Sequence, residues 1–278
     1  MAPKIKPGRI TRAFKRLGRE GRAAFIPYIM AGDPSLERTA DLIGLLERSG
    51  ADVIELGVPF SDPMADGPVI QRAAERAVER GVHLADVIGL VRRVREVSEV
   101  PIVLMTYYNP ILRYGEERFV REAVAAGVDG VIVPDLPAHE AGGLIPHARA
   151  LGLDTIFLFA PTSTPKRRKL VAKASRGFIY YVSIAGITGS RLTLDAGARQ
   201  SIDEARRTGR CPVALGFGVS TPEEAVEAAG LADGVIVGSA IVKRVGGPEG
   251  DAALEAYVKS LREALDRGRG APTGGAAG

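Results

Sequence analysis

Eight short apolar runs, separated by segments with helical periodicity, constrain this chain more than any other feature. They are AFIPYIMAG (24–32), ADVIELGV (51–58), PIVLMTYY (101–108), DGVIVPD (129–135), LDTIFLFAP (153–161), GFIYYVS (177–183), CPVALGFG (211–218) and DGVIVGS (233–239). Most are continuous rather than alternating, the pattern of parallel strands covered on both faces. Between them, LERTADLIGLLERSG (36–50) and HLADVIGLVRRVREVS (83–98) repeat apolar residues every three or four positions. Thr221, Pro222 and Glu224 spell a capping-box start, and Thr164–Pro165 repeats the Thr-Pro opening. Glycines in RSGAD, AAGVDG and AAGLADG close helices that lead straight into strands. Eight strand–helix repeats in a 278-residue chain predict a (β/α)₈ TIM barrel. A doubly wound sheet is the structural alternative; the count of eight and the phosphate signals below favour the barrel. Ile10, Phe14 and Leu17, at helical spacing, predict an extra N-terminal helix with an inward stripe. Residues 1–267 therefore read as one domain, and the low-complexity end, 268–278, as a disordered tail.

With 46% hydrophobic residues the chain can bury a large core, yet no apolar run is long enough to span a bilayer. The net charge of +4 is modest, and the basic clusters at the N-terminus and at 164–169 have no interleaved aromatics. They read as solvated helix faces rather than a nucleic-acid surface. The basic N-terminal segment lacks the apolar core of a secretory signal and reads as a helix of the mature protein. The single cysteine, Cys211, excludes an intramolecular disulfide framework and suits a reducing cytoplasm. It opens a strand, the end away from barrel chemistry, and reads as a structural thiol.

Active sites of such barrels lie at the C-terminal ends of the strands. Tyr28, Glu55, Tyr107, Asp135, Tyr180, Phe217, Gly218, Gly238 and Ser239 stand there. The seventh run ends in GFGVS and the eighth in VGSAIVK. Glycines at both places let backbone N–H groups approach an anion, and GSAIVK can open a short helix aimed at a phosphate. The same glycines also make tight turns, so the signal names a class of barrel and not a reaction. Glu55 sits among apolar neighbours, where desolvation raises a carboxyl pKa and poises it for acid–base work near neutrality. A structural carboxylate bonded to a neighbouring strand is the alternative. Asp66 follows in a turn-rich loop and can bind a substrate N–H or hydroxyl; Asp62, in FSDP, reads equally as a turn residue. No lysine stands at a strand end, which argues against Schiff-base chemistry. His83, His139 and His147 lack metal-ligand spacing, and no metal site is expected. GFGVST lacks the third glycine of a dinucleotide fingerprint. The residues alone reach a cofactor-free acid–base enzyme acting on a phosphorylated substrate.

ELGVPFSDPMADGPVIQ (55–71) resembles the signature of the tryptophan synthase α family. The likeness continues through AFIPYIMAGDPS, MTYYNPI, GVIVPDLP, YYVSIAGITG, GFGVS and GVIVGSAIVK. It implies a lyase that cleaves indole-3-glycerol phosphate by a retro-aldol step to indole and glyceraldehyde 3-phosphate. Under it, Glu55 is the acid/base and Asp66 holds the indole N–H. Tyr28, Tyr107 and Ile132 line the indole slot, and Tyr180 lies beside Glu55. Gly189, Phe217, Gly218, Gly238 and Ser239 bind the phosphate. The loop SIAGITGSR resembles the family's lid, with Thr188 meeting Asp66 on closure; Ile184 stands where some members carry Arg. The resemblance also implies a β-subunit partner in an αββα heterotetramer, with indole channelled between subunits. Asp62, Pro63, Asn109 and Pro137 match positions near that interface. Pyridoxal phosphate would belong to the β subunit, so this chain would need no cofactor of its own, in the cytoplasm. Another phosphate-binding barrel, such as indole-3-glycerol phosphate synthase or a phosphoribosyl isomerase, is the second enzyme reading; the synthase would need a strand-end lysine. A catalytically silent barrel is opposed by the presence of both Glu55 and Asp66. A stand-alone indole-producing lyase would share the chemistry without the partner.

Overall fold

Every expected apolar run contains a strand. The computed structural model describes residues 8–182, 196–209, 211–216, 218–247 and 249–270. The strands are β1 (Ala24–Met30), β2 (Ile54–Gly57), β3 (Ile102–Met105), β4 (Gly130–Ile132), β5 (Asp154–Ile156), β6 (Leu158–Phe159), β7 (Ile179–Val182), β8 (Val213–Gly216) and β9 (Gly234–Val237). Every paired neighbour is parallel, in the order β5-β4-β3-β2-β1-β9-β8-β7-β6. The fifth expected run is thus two short strands. Phe157 separates them because its amide donates to the Ser175 hydroxyl at 3.3 Å instead of a strand carbonyl. The chain itself carries the ring across that gap, so nine strands make eight staves of a nearly closed barrel.

Successive strand residues face opposite ways, which sorts side chains into a lumen row and an outer row. The lumen cluster contains Ala24, Ile26, Val53, Val103, Ile132, Ile156, Ala214 and Ile236. The helix Arg9–Arg19 adds Ile10, Phe14 and Leu17 to this cluster, stoppering the barrel at the N-terminal end of its strands. The Phe14 and Phe178 rings lie 5.7 Å apart there. The predicted inward stripe is borne out. The outer rows pack against the surrounding helices in a second, larger core.

The N-terminal end is also fixed by a repeated aspartate. Asp52, Asp129 and Asp233 each stand just before a strand and accept the amide of a residue on the neighbouring stave: Phe25 at 3.0 Å, Ile102 at 2.9 Å and Val213 at 2.9 Å. Arginines balance these partly desolvated charges. Arg262 and Arg16 hold Asp52, Arg95 and Arg9 hold Asp129, and Arg206 holds Asp233.

Helix ends follow the expected signals with one exception. Thr221 and Glu224 form the capping box, and the Thr164 hydroxyl accepts the Arg167 amide. Gly127 closes its helix in the left-handed region at φ 92°. Gly230 has φ −67°, so the helix Pro222–Ala229 stops without a left-handed residue. The helix Gly250–Gly270 is the last described element, and residues 271–278 of the expected tail lie outside the described residues.

Candidate active site

At the C-terminal rim the lumen rows end in polar side chains. Glu55 is the second residue of β2 and points inward, paired in register with Tyr28 of β1 and Val103 of β3. It is 1% exposed, and its Oε2 has no hydrogen-bond partner. Burial, and secondarily the charge of Asp66, push its pKa up to about 8. A carboxyl with an orphaned oxygen in an apolar setting keeps its proton at neutral pH. The pKa of Glu55 is thus shifted in the direction that desolvation was expected to move it, and no neighbouring strand engages that oxygen.

Two tyrosines wall this carboxyl. Tyr28 and Tyr180 are buried, and burial followed by the charges of Asp66 and Glu55 raises both phenols well above their ordinary pKa. Each ring reaches diagonally over a glycine two residues beyond its register partner on the next strand. A Cβ on Gly57 would fall 2.7 Å from Tyr28 Cζ, and one on Gly216 would fall 2.5 Å from Tyr180 Cζ. Both clashes involve ring atoms hemmed in by the core, so the absence of a side chain is what lets the rings lie there. The sequence reading gave Gly57 no role of its own and took Gly216, in GFGVS, only as part of a phosphate signal.

Asp66 comes from the loop between β2 and the helix Pro68–Glu79. Tyr107 stands after β3, its hydroxyl donating to Asp66 Oδ2 at 3.0 Å and accepting from the Ala65 amide at 2.9 Å. Tyr107 therefore holds the acidic loop as well as walling the mouth, with Phe60 against its ring at 5.3 Å. Burial raises the Asp66 pKa, and the Tyr107 bond works against that rise. Asp135 is not part of this cluster. Its carboxylate accepts the Tyr108 amide at 2.9 Å and caps the helix Tyr108–Tyr114.

Ile132 lies in the lumen cluster at the end of β4. Gly238 is the N-cap of the helix Ser239–Val245, and Gly218 follows β8 with φ 87°. A Cβ on Gly238 would lie 3.7 Å from Tyr28 Cβ, so the expected phosphate loop abuts the wall of the carboxyl pocket. Thr188, Gly189, Phe217 and the lid with Ile184 lie outside the described residues. Asp62 and Asn109 are exposed and Pro63 and Pro137 half-buried, on the loops and helix that follow β2, β3 and β4. Met64, in the same loop as Asp62, is 82% exposed, an apolar side chain that the sequence reading passed over. An open cleft of about 560 Å³, lined by Asp33, Arg72, Arg76 and Lys243 among others, lies outside the ring and includes neither site carboxylate. Among the described residues no group of three or more His, Cys, Asp or Glu could hold a metal ion, and no helix is long and apolar enough to cross a membrane.

One buried, protonated carboxyl and one carboxylate held by a phenol can give a proton and offset a positive charge on the same bound molecule. The family model for the tryptophan synthase alpha chain matches residues 14–266. The tryptophan synthase alpha chain of Geobacter sulfurreducens is 50% identical over 260 residues, covering 92% of this chain and 98% of that relative. That of Solibacter usitatus is 48% identical over 263 residues, covering 95% and 98%. The crystal structure of tryptophan synthase subunit alpha from Legionella pneumophila superposes with a TM-score of 0.85 at 39% identity, covering 94% of this chain and 100% of that one. A Mycobacterium tuberculosis tryptophan synthase chain gives a TM-score of 0.86 at 38% identity, covering 94% and 99%.

Proposed function

The chain belongs to the tryptophan synthase alpha chain family, and from that premise we propose that Glu55 and Asp66 carry the family's α reaction. That reaction is the retro-aldol cleavage of indole-3-glycerol phosphate to indole and glyceraldehyde 3-phosphate in L-tryptophan biosynthesis, and this chain is an enzyme of that step.

In the proposed mechanism Glu55, protonated at neutral pH, gives its proton to indole C3 and leaves the ring as a cationic indolenine. The glycerol hydroxyl next to the ring then loses its proton to the Glu55 carboxylate. Its C–O becomes C=O, the carbon–carbon bond breaks, and the bonding pair returns to the ring. One carboxyl thus serves as acid and then as base. Asp66 stays ionised, and we assign its Oδ1 to the indole N–H, because Oδ2 is taken by Tyr107. A carboxylate there offsets the positive charge that develops on the ring nitrogen in a closed, low-dielectric pocket. Tyr28, Tyr107, Tyr180 and Ile132 flank the ring. The amides of Gly218, Gly238 and Ser239 receive the phosphate together with Gly189 and Phe217, and Thr188 is assigned to meet Asp66.

The ring system accepts the electrons, so the chain works without a cofactor, and pyridoxal phosphate belongs to the β subunit. We further assign residues 1–267 to one barrel domain and the protein to the cytoplasm, in an αββα heterotetramer with the β subunit. Asp62, Pro63, Asn109 and Pro137 face that partner. The exposed Met64 supports this face, since a large apolar side chain in an acidic loop gains from being covered.

The observation that carries the reading is the orphaned Oε2 of a carboxyl with a pKa of about 8. Glu55→Gln keeps the shape and removes the transferable proton. Cleavage of indole-3-glycerol phosphate should fall by at least about 10³-fold with an unchanged circular dichroism spectrum. Turnover near the wild-type rate would reassign the acid.

A further inference from the structure

The loop 61–67 places Asp66, yet none of its residues is buried: Pro63 and Asp66 are half-buried and the others exposed. Packing therefore does little to hold it, although a catalytic carboxylate must be held to within about 0.5 Å. Two side chains outside the loop grip it. One is Tyr107, through the Asp66 carboxylate and the Ala65 amide. The other is Gln71, in the first turn of the helix Pro68–Glu79. Its Nε2 donates to the carbonyl of Asp66 at 2.9 Å and to the carbonyl of Pro63 at 3.3 Å. A primary amide nitrogen has two hydrogens, and here each has its own carbonyl, three residues apart in the same loop. The Gln71 amide also donates to the Gly67 carbonyl at 3.0 Å, so the side chain departs from a backbone already fixed by its helix.

We propose that Gln71 is a positioning residue for the α reaction, its side-chain nitrogen clamping the backbone on both sides of the turn that aims Asp66. The inference rests on the role assigned to Asp66. Gln71 touches no reacting atom and binds no part of the substrate. It fixes the direction of the Asp66 Cα–Cβ bond, as Tyr107 fixes the far end of the same side chain. With both ends held, Asp66 meets the indole nitrogen without first being ordered. With Gln71 gone, the carboxylate swings about the Tyr107 hydroxyl and the ordering falls on the transition state.

Steady-state kinetics of the full chain on indole-3-glycerol phosphate test this. Gln71→Met keeps length and apolar bulk and removes both donors. It should lower kcat about tenfold, leave KM within about twofold and shift Tm by no more than about 2 °C. Gln71→Glu has nearly the same shape, is ionised at neutral pH and so also removes both donors, and it serves if the methionine variant does not fold. Its kcat should fall at least about tenfold with KM within about twofold. A wild-type kcat in either variant, or a fall in kcat matched by a rise in KM or a lowered Tm, overturns the proposal. Asp66→Asn, measured beside them, tests the reading beneath. A wild-type kcat there removes the role of Asp66 itself, whereas an inactive Asp66→Asn beside an unaffected Gln71→Met removes only the clamp.

Discussion

Glu55 ties activity and stability to pH in opposite directions from an ordinary surface carboxylate. Its native pKa of about 8 lies above the 4.5 of an unburied Glu, so between those values the native state binds a proton that the unfolded chain releases. Its contribution to stability is therefore complete below about pH 4.5 and is lost as pH rises through about 8. Glu55→Gln carries no such proton. The difference in unfolding free energy between variant and wild type should grow in the variant's favour between about pH 5 and pH 9, by an order of several kcal/mol, in denaturant titrations at matched pH. A constant difference would place the Glu55 pKa near its ordinary value. Tyr107 acts on the other carboxyl. Its hydroxyl counters the upward push of burial on Asp66. Tyr107→Phe removes that counterweight, the Asp66 pKa rises, and the acidic limb of the kcat–pH profile should move to higher pH.

The elements were legible where a local rule and the global fold agree. The apolar runs named the staves, the Thr-Pro starts named two helices, and the stripe of Ile10, Phe14 and Leu17 named the stopper. The fifth run was not divisible by eye, because LDTIFLF has no breaker; the interruption comes from Ser175, far along the chain, taking the Phe157 amide. Asp135 stood at a strand end like a catalytic acid, and only its Tyr108 contact shows a cap. Glu55 was legible since a lone carboxyl in an apolar run is costly without a use. The Asp66 side chain was legible, but its two clamps were not, as Tyr107 and Gln71 approach from different elements. The sequence reading gave the aspartates that begin staves no role. They bear on stability alone: Asp129→Ala would take the Ile102 amide's side-chain acceptor and the carboxylate that Arg95 and Arg9 share, leaving Arg95 to backbone carbonyls and Arg9 to Glu99. Calorimetry should show a loss of about 3–5 kcal/mol, while kcat at a temperature well below the melting transition stays near wild type.

At the scale of the whole molecule, the rim is the face that the proposed β-subunit partner would cover. Asp62, Pro63 and Met64 present an acidic and apolar edge in the loop that also bears Asp66. A subunit seated there touches the same backbone that aims the carboxylate. Adding the β subunit should raise the cleavage rate of this chain by about tenfold or more, as expected for a coupling of 1–3 kcal/mol between docking and catalysis. A rate unchanged by saturating β subunit would mark a lyase that works alone. The N-terminal helix has a further effect on this traffic. Among the described residues, Ile10, Phe14 and Leu17 cork the far end of the lumen. With that end closed, traffic of substrate, aldehyde and indole falls to the opposite rim, the threshold beside Glu55 and Asp66. Whatever protein sits across that threshold sets the order of arrivals and departures, and so decides whether indole escapes to water or is handed on.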